Sequence, residues 1–202
     1  ITASAPDGEY TYDGDAKTAE GVAYDKLTFN GQTYTVEGLS STMTQTDAGE
    51  YETAITGTAV VKAADGTDVT NQFSVNTEDK GLLKINKRDV TVTAKSDSKA
   101  FDGTALTNNG WDVAATTETT GLVKNDKIAS VTVEGTITYV GTADNVAKDA
   151  VFAEGVNANN YNVKYEKGTL EVTDRADKYV ITASAPDGEY TYDAVCYTHL
   201  RA

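Results

Sequence analysis

Cysteine and histidine are almost missing from this sequence: Cys196 and His199 are the sole examples, and both fall in the last seven residues. A single cysteine excludes a disulfide framework. The His/Cys sets that hold zinc or activate a nucleophile are equally absent upstream of that tail. Basic residues are scarce too. Seventeen Lys plus Arg stand against thirty-one Asp plus Glu, and the formal charge of −14 repels nucleic-acid phosphates and anionic membrane faces. Nucleic acid is not an expected partner. No apolar run approaches the roughly eighteen residues that span a bilayer as a helix, and no basic stretch followed by an apolar one opens the sequence. No membrane insertion is expected within this stretch, and any signal peptide or wall anchor lies outside it. Scarce cysteine suits the cytosol and equally the secreted modules of Gram-positive bacteria, so composition leaves the compartment open.

What is present favours strands. Apolar residues make up 39% and charged residues 24%, a globular balance, and Val, Thr, Ile and Tyr supply much of the apolar and β-branched content. Residues 1–13, ITASAPDGEYTYD, recur letter for letter at 181–193, so the chain carries a unit of 180 residues that starts again at Ile181. A fainter repeat halves the unit. Tyr12-Asp13-Gly14 with Ala16 and Thr18 matches Phe101-Asp102-Gly103 with Ala105 and Thr107, and Val36-Glu37-Gly38 returns as Val133-Glu134-Gly135. Thr46-Asp47-Ala48-Gly49 aligns loosely around Gly141-Thr142-Ala143-Asp144. Asn71-Gln72-Phe73-Ser74-Val75 pairs with Asn159-Asn160-Tyr161-Asn162-Val163, and Gly81-Leu82-Leu83 pairs with Gly168-Thr169-Leu170. The second half carries an insertion, Val113 to Lys127, and a compensating deletion after it.

Within each half the hydrophobic period is two. Tyr161, Val163 and Tyr165 alternate with polar residues, Glu166-Lys167-Gly168 interrupts, and Leu170 and Val172 resume, which reads as a hairpin. Phe73 to Ile85 repeats the arrangement. Val90–Ala94, Ile128–Glu134 and Gln32–Glu37 read as further strands, whereas 145–152 and 17–27 tolerate a short helix. The expected architecture is all-β: two tandem small modules, sandwich-like or β-grasp-like with about six strands each, joined end to end. Residues 1–88 form the first, 89–176 the second, and 177–193 the truncated start of a third. That stub lacks its partner strands and is expected to find no core of its own. Asn86-Lys87-Arg88-Asp89 joins the modules without a Gly, Ser or Pro-rich stretch. So short a linker predicts a stiff rod whose modules touch only there.

Several short signatures in one order, Tyr12-Asp13-Gly14 and Phe101-Asp102-Gly103, then Asp47-Ala48-Gly49-Glu50-Tyr51, then Asn-Tyr-Asn-Val entering Gly-Thr-Leu, resemble the YDG and MBG repeat modules of large bacterial surface proteins. The likeness covers nearly all of residues 1–176. It departs at Phe101, which replaces Tyr, and at Ala143-Asp144-Asn145, which replaces Asp-Ala-Gly. The resemblance implies an extracellular, cell-attached, adhesin-like or stalk region. Residues 194–202, AVCYTHLRA, break the repeat where a glycine is due after Asp193. They resemble the translated sequencing-adapter tails of metagenomic assemblies, so Cys196 and His199 carry no site argument.

The candidate sites each have a plain structural reading. In the Tyr-Asp-Gly turn, Asp accepts from the backbone two residues on and Gly takes positive φ while the ring closes the core. Asp65-Gly66-Thr67-Asp68 and the pair Asp144 and Asp149 read as solvated acidic loops, because no EF-hand spacing is present; no metal and no cofactor is expected. No Gly-rich phosphate loop or nucleophile elbow occurs, so the chain is not expected to be an enzyme. A Lys–Asn isopeptide cross-link would need Lys95 or Lys99 beside Asn162. Among aromatics available to face a glycan, Tyr12, Tyr24, Tyr34, Trp111 and Tyr139, the candidate ligand contact is Trp111, at the edge of the insertion.

These observations predict a stalk that projects a distal domain, with charge keeping neighbouring rods apart. The alternative is a module that binds host glycan or protein weakly and multivalently. The partners expected are the neighbouring repeats of the same chain. A module of strands about ten residues long adds roughly 30 to 40 Å. A stalk under load also needs first and last strands that lie side by side.

Overall fold

The computed structural model describes residues 1–185, Asp187 and Gly188. The tail 194–202, with Cys196 and His199, lies outside the described residues, as do Pro186 and residues 189–193 of the repeated opening. The first half contains strands β1 (Thr2–Ser4), β2 (Gly8–Thr11), β3 (Lys17–Glu20), β4 (Ala23–Tyr24), β5 (Thr28–Phe29) and β6 (Gln32–Thr33). It continues with β7 (Thr35–Ser40), β8 (Thr42–Gln45), β9 (Gly49–Thr53), β10 (Thr56–Lys62), β11 (Asn76–Asp79) and β12 (Gly81–Asn86). The second half contains β13 (Arg88–Ala94), β14 (Asp97–Ala100), β15 (Trp111–Val113), β16 (Ile128–Glu134), β17 (Gly141–Phe152), β18 (Tyr161–Glu166) and β19 (Gly168–Thr173). Two single-turn 3-10 helices, Thr70–Gln72 and Ala158–Asn160, complete the regular structure of the described residues. The protein is all-β.

Among the described residues no strand pairing crosses Lys87, which places Arg88 at the start of the second half instead of the end of the first, and the two halves repeat one another's strand order. In the first, β1 lies between β11, parallel, and β4, antiparallel; in the second, β13 lies between β18, parallel, and β15, antiparallel. Likewise β12 runs parallel to β2 and antiparallel to β9, as β19 runs parallel to β14 and antiparallel to the start of β17. Phe73 and Tyr161 hold matching places as the extended residues that end the two 3-10 turns. Leu83 and Leu170 are both wholly buried, each worth about 2 kcal/mol relative to exposure.

The period-two pattern located strands well but not their partners. The segment Tyr161–Thr173 is not a hairpin: β18 joins β13 while β19 joins β14 and β17. The same holds for β11 and β12. The chain changes sheets at a glycine in both places, because the backbones pack too closely for a side chain. A Cβ on Gly81 would lie 2.2 Å from the Pro6 carbonyl, and one on Gly168 would lie 2.5 Å from that of Ala94. Alternation fixes which face of a strand is buried and leaves its neighbour open.

Both segments that tolerated a helix are extended. Residues 145–152 form most of β17, whose start pairs with β19 and whose remainder pairs with β16. A helix there would strand the backbone groups of two neighbours. Lys17–Glu20 pairs with β8, and Ala23–Tyr24 with β1. Sheet register also corrects the loose alignment, since Gly49 faces Ile85 as Gly141 faces Val172. Asp47-Ala48 therefore corresponds to Tyr139-Val140, and Ala143-Asp144-Asn145 to Tyr51-Glu52-Thr53.

Candidate functional site: the junction between the halves

The halves meet over far more than their linker, which corrects the expectation of contact confined to 86–89. One cluster of buried side chains runs from Tyr12 and Ile85 of the first half into Val90, Val92, Val123, Ile128 and Tyr161 of the second. The Tyr12 and Tyr161 rings meet edge-on, 5.5 Å between centroids, and Phe152 stacks on Tyr161 at 5.1 Å. Phe101, the counterpart of Tyr12, is only half-buried and packs at the far end of the second half against Leu106, Leu170 and Val172.

Polar groups fix the register of this apolar contact. Asn160 is buried. Its Oδ1 accepts from the Ala48 amide at 2.8 Å, and its Nδ2 donates to Asp47 Oδ1 at 2.8 Å. Tyr161 donates its hydroxyl proton to Asp126 Oδ2 at 2.6 Å and accepts from the Val123 amide. Tyr12 reaches the same carboxylate oxygen at 3.4 Å. Burial first, and then the hydrogen bond to Asp126, push the Tyr161 phenol well above its ordinary range; burial and the Asp126 charge raise Tyr12. Lys124 bonds to the Gly14 carbonyl and lies 2.6 Å from Asp15 Oδ1.

Arg88 is the centre of the joint. Only 3% exposed, it donates to five backbone carbonyls: Gly121 at 3.0 Å, Tyr12 at 3.3 Å, Glu118 at 3.1 Å, Thr117 at 2.6 Å and Thr120 at 3.1 Å. A planar fork with five N–H groups suits this cage in a way a lysine cannot. The insertion Val113 to Lys127 thus wraps Arg88 at the start of β13 and carries Val123, Lys124 and Asp126 onto the first half.

Sequence reasoning marked the insertion but missed its role. A signal was available: the three arginines are Arg88, Arg175 and Arg201, and the first two stand at corresponding places before successive repeats. Arg175 Nη1 donates to the Phe101 carbonyl at 3.1 Å, as Arg88 does to that of Tyr12. Backbone bonds around them also correspond, Tyr12 N to Asn86 O and Phe101 N to Thr173 O, both 2.9 Å.

No family model matches this chain, and neither a curated protein nor a solved structure matches it.

The remaining candidates sit apart. In the Tyr-Asp-Gly turns, Asp13 accepts from the Asp15 amide at 2.9 Å and Asp102 from that of Thr104 at 2.8 Å, while Gly14 and Gly103 take φ of 79° and 85°. Lys99, hydrogen-bonded to Asp102, and the Thr104 donors hold the Asp102 carboxyl far below the usual carboxylate range. Trp111 pairs with Ala94 and lies half-buried against the core, with Asp112 beside it bound to Lys95 at 3.3 Å. Tyr24 and Tyr34 are likewise half-buried. The cross-link residues have other partners: Lys99 is engaged with Asp102, and Asn162 donates to Asp89 at 2.8 Å. Asp65 and Asp68 accept from the Thr67 and Thr70 amides as turn residues, and among the described residues no three His, Cys, Asp or Glu side chains gather to hold a metal. No helix of the described residues is long and apolar enough to cross a membrane.

Proposed function

We infer that the chain is a non-catalytic repeat region of a bacterial cell-surface protein, a stalk that projects a distal domain. The reading rests on one observation above others: in each half the last strand lies parallel beside the second strand, β12 with β2 and β19 with β14, while the first strand lies beside the one before the last. Tension on a stalk pulls the opening pair of strands of a half from its start and the closing pair from its end. In a parallel pair those ends are opposite, so the load shears several hydrogen bonds together instead of opening them singly. The first strands make a second such seam in each half, β1 with β11 and β13 with β18. A joint held by buried Arg88 and Asn160 then passes the load between halves without slack.

An adhesive module that relies on repetition needs the same exposed patch in every repeat. The most exposed aromatic of the second half, Tyr139, has Asp47 as its counterpart in the first, so the patch is not shared between halves. The test is a glycan and host-protein screen on residues 1–176, as monomer and as multivalent display. The stalk reading expects no saturable binding. Saturable binding that disappears in Trp111→Ala while the fold persists replaces it with the adhesive reading.

A further inference from the structure

The two ends of the unit carry unsatisfied aromatic surfaces, and each corresponds to one side of the joint already described. At the trailing end of the second half, Tyr139 is 77% exposed and Val140 is 52% exposed. They flank Phe101, whose ring lies 6.4 Å from that of Tyr139 at an interplanar angle of 21°. This is the surface that Tyr12, Asp47 and Ala48 form in the first half, where the second half covers it. At the leading end of the first half, Phe73 stands where Tyr161 stands in the second. Its ring lies 4.8 Å from Tyr34 and 5.4 Å from Phe29, all three half-buried. The amino group of Ile1 beside it donates to the Ser74 carbonyl at 2.9 Å.

We propose that these surfaces are the two faces of a second joint: the end formed by Phe101, Tyr139 and Val140 receives the Phe29, Tyr34 and Phe73 face of the following 180-residue unit. The occupant is set by the sequence itself, which repeats residues 1–13 at 181–193 and so brings a copy of the first half onto this end. Arg175 already holds the Phe101 carbonyl. The linker into the next unit is longer, from Arg175 to Ile181 against Arg88 to Val90. A bend at Ala176–Asp177 takes up the added length, and the Tyr179 ring folds back to meet Phe101 edge-on at 6.5 Å. Where the first joint matches Asn160 to Asp47 and Ala48, the second brings Gln72 to Tyr139 and Val140. The joint is apolar where the first is hydrogen-bonded, so the two joints in a long stalk alternate in chemistry.

This inference rests on the stalk reading. The test uses a chain that continues as the repeat does, residues 1–180 followed by a second copy of residues 1–176. Val140→Cys in the first copy and Gln72→Cys in the second are expected to form an intramolecular disulfide, because the residues that hold these places in the first joint, Ala48 and Asn160, are in direct hydrogen-bond contact at 2.8 Å, and a disulfide spans about 5.5 Å between Cα atoms. A cysteine at Thr104 of the second copy, a module away, is expected not to react. Tyr139→Asp gives a second measurement. It should lower the melting point of a single 1–176 unit only slightly, through its exposed stacking on Phe101, lower that of the two-unit chain more, and slow cross-linking about tenfold, the scale of one aromatic contact. Equal cross-linking to Gln72→Cys and Thr104→Cys, or an identical effect of Tyr139→Asp in one unit and in two, overturns the second joint. Such a failure leaves the stalk as rigid pairs on loose links, whereas saturable ligand binding would remove the stalk reading and leave the joint intact.

Discussion

Replacing Arg88 with Met keeps most of the buried stem and removes all five hydrogen bonds, so it isolates what the guanidinium contributes to the joint. The bonds do not add. Those to Glu118, Thr117 and Thr120 end on a partly open loop, where water can replace the lost donor. Those to Gly121 and Tyr12 are buried, and water reaches them only by disrupting the cluster around Tyr12. A hydrogen bond to a charged group is worth roughly 1.5–3 kcal/mol, so two enclosed ones put the expected loss at about 3 kcal/mol at the lower figure. If the two halves unfold together, a loss of about 3 kcal/mol lowers the melting point by roughly 6 to 12 °C. Urea unfolding followed by Trp111 fluorescence, which reports the second half, and by far-ultraviolet circular dichroism, which reports both, checks the figure. The coupling is also visible: the wild type should give coincident curves, and Arg88→Met should separate them. A loss below about 0.5 kcal/mol, the range of an unremarkable surface change, with curves still coincident, would refute the placement of Arg88 as the clamp.

Asn160→Ala removes both hydrogen bonds to Asp47 and Ala48 and should cost about 2 kcal/mol, with nitrogen relaxation showing the halves tumbling more independently. Trp111→Ala should destabilise the second half by about 2 to 3 kcal/mol through lost packing, below the full-burial range because the ring is half-buried, measured by chemical unfolding. Acid should weaken the fold through Asp102, whose pKa is lowered in the folded state. Its contribution is present above its unfolded value near ~4 and fades as pH falls below that, so Asp102→Asn should flatten the acid limb of a stability–pH profile. Tyr161 works in the opposite sense: its pKa is raised, so its contribution is present below about pH 10 and is lost at higher pH. Tyr161→Phe should reduce that alkaline slope.

The strands of this protein were legible because their evidence is local. Alternation in Val90–Ala94 and Ile128–Glu134 reports which side chains face inward, and the observed β13 and β16 cover those stretches. The repeat was legible because identity of sequence needs no geometry, and it carried the correspondence of Phe73 with Tyr161 and Leu83 with Leu170. Pairing was not, because β18 has the same alternation whether its neighbour is β19 or β13, and only the close approach at Gly168 sends the chain to the other sheet. The insertion was visible as added length. What tertiary structure alone decided is that this added loop folds over Arg88 and onto Tyr12, joining residues far apart in the chain. A buried guanidinium is stable only where several carbonyls converge on it, and convergence of distant backbone is a property that no local pattern of residues encodes.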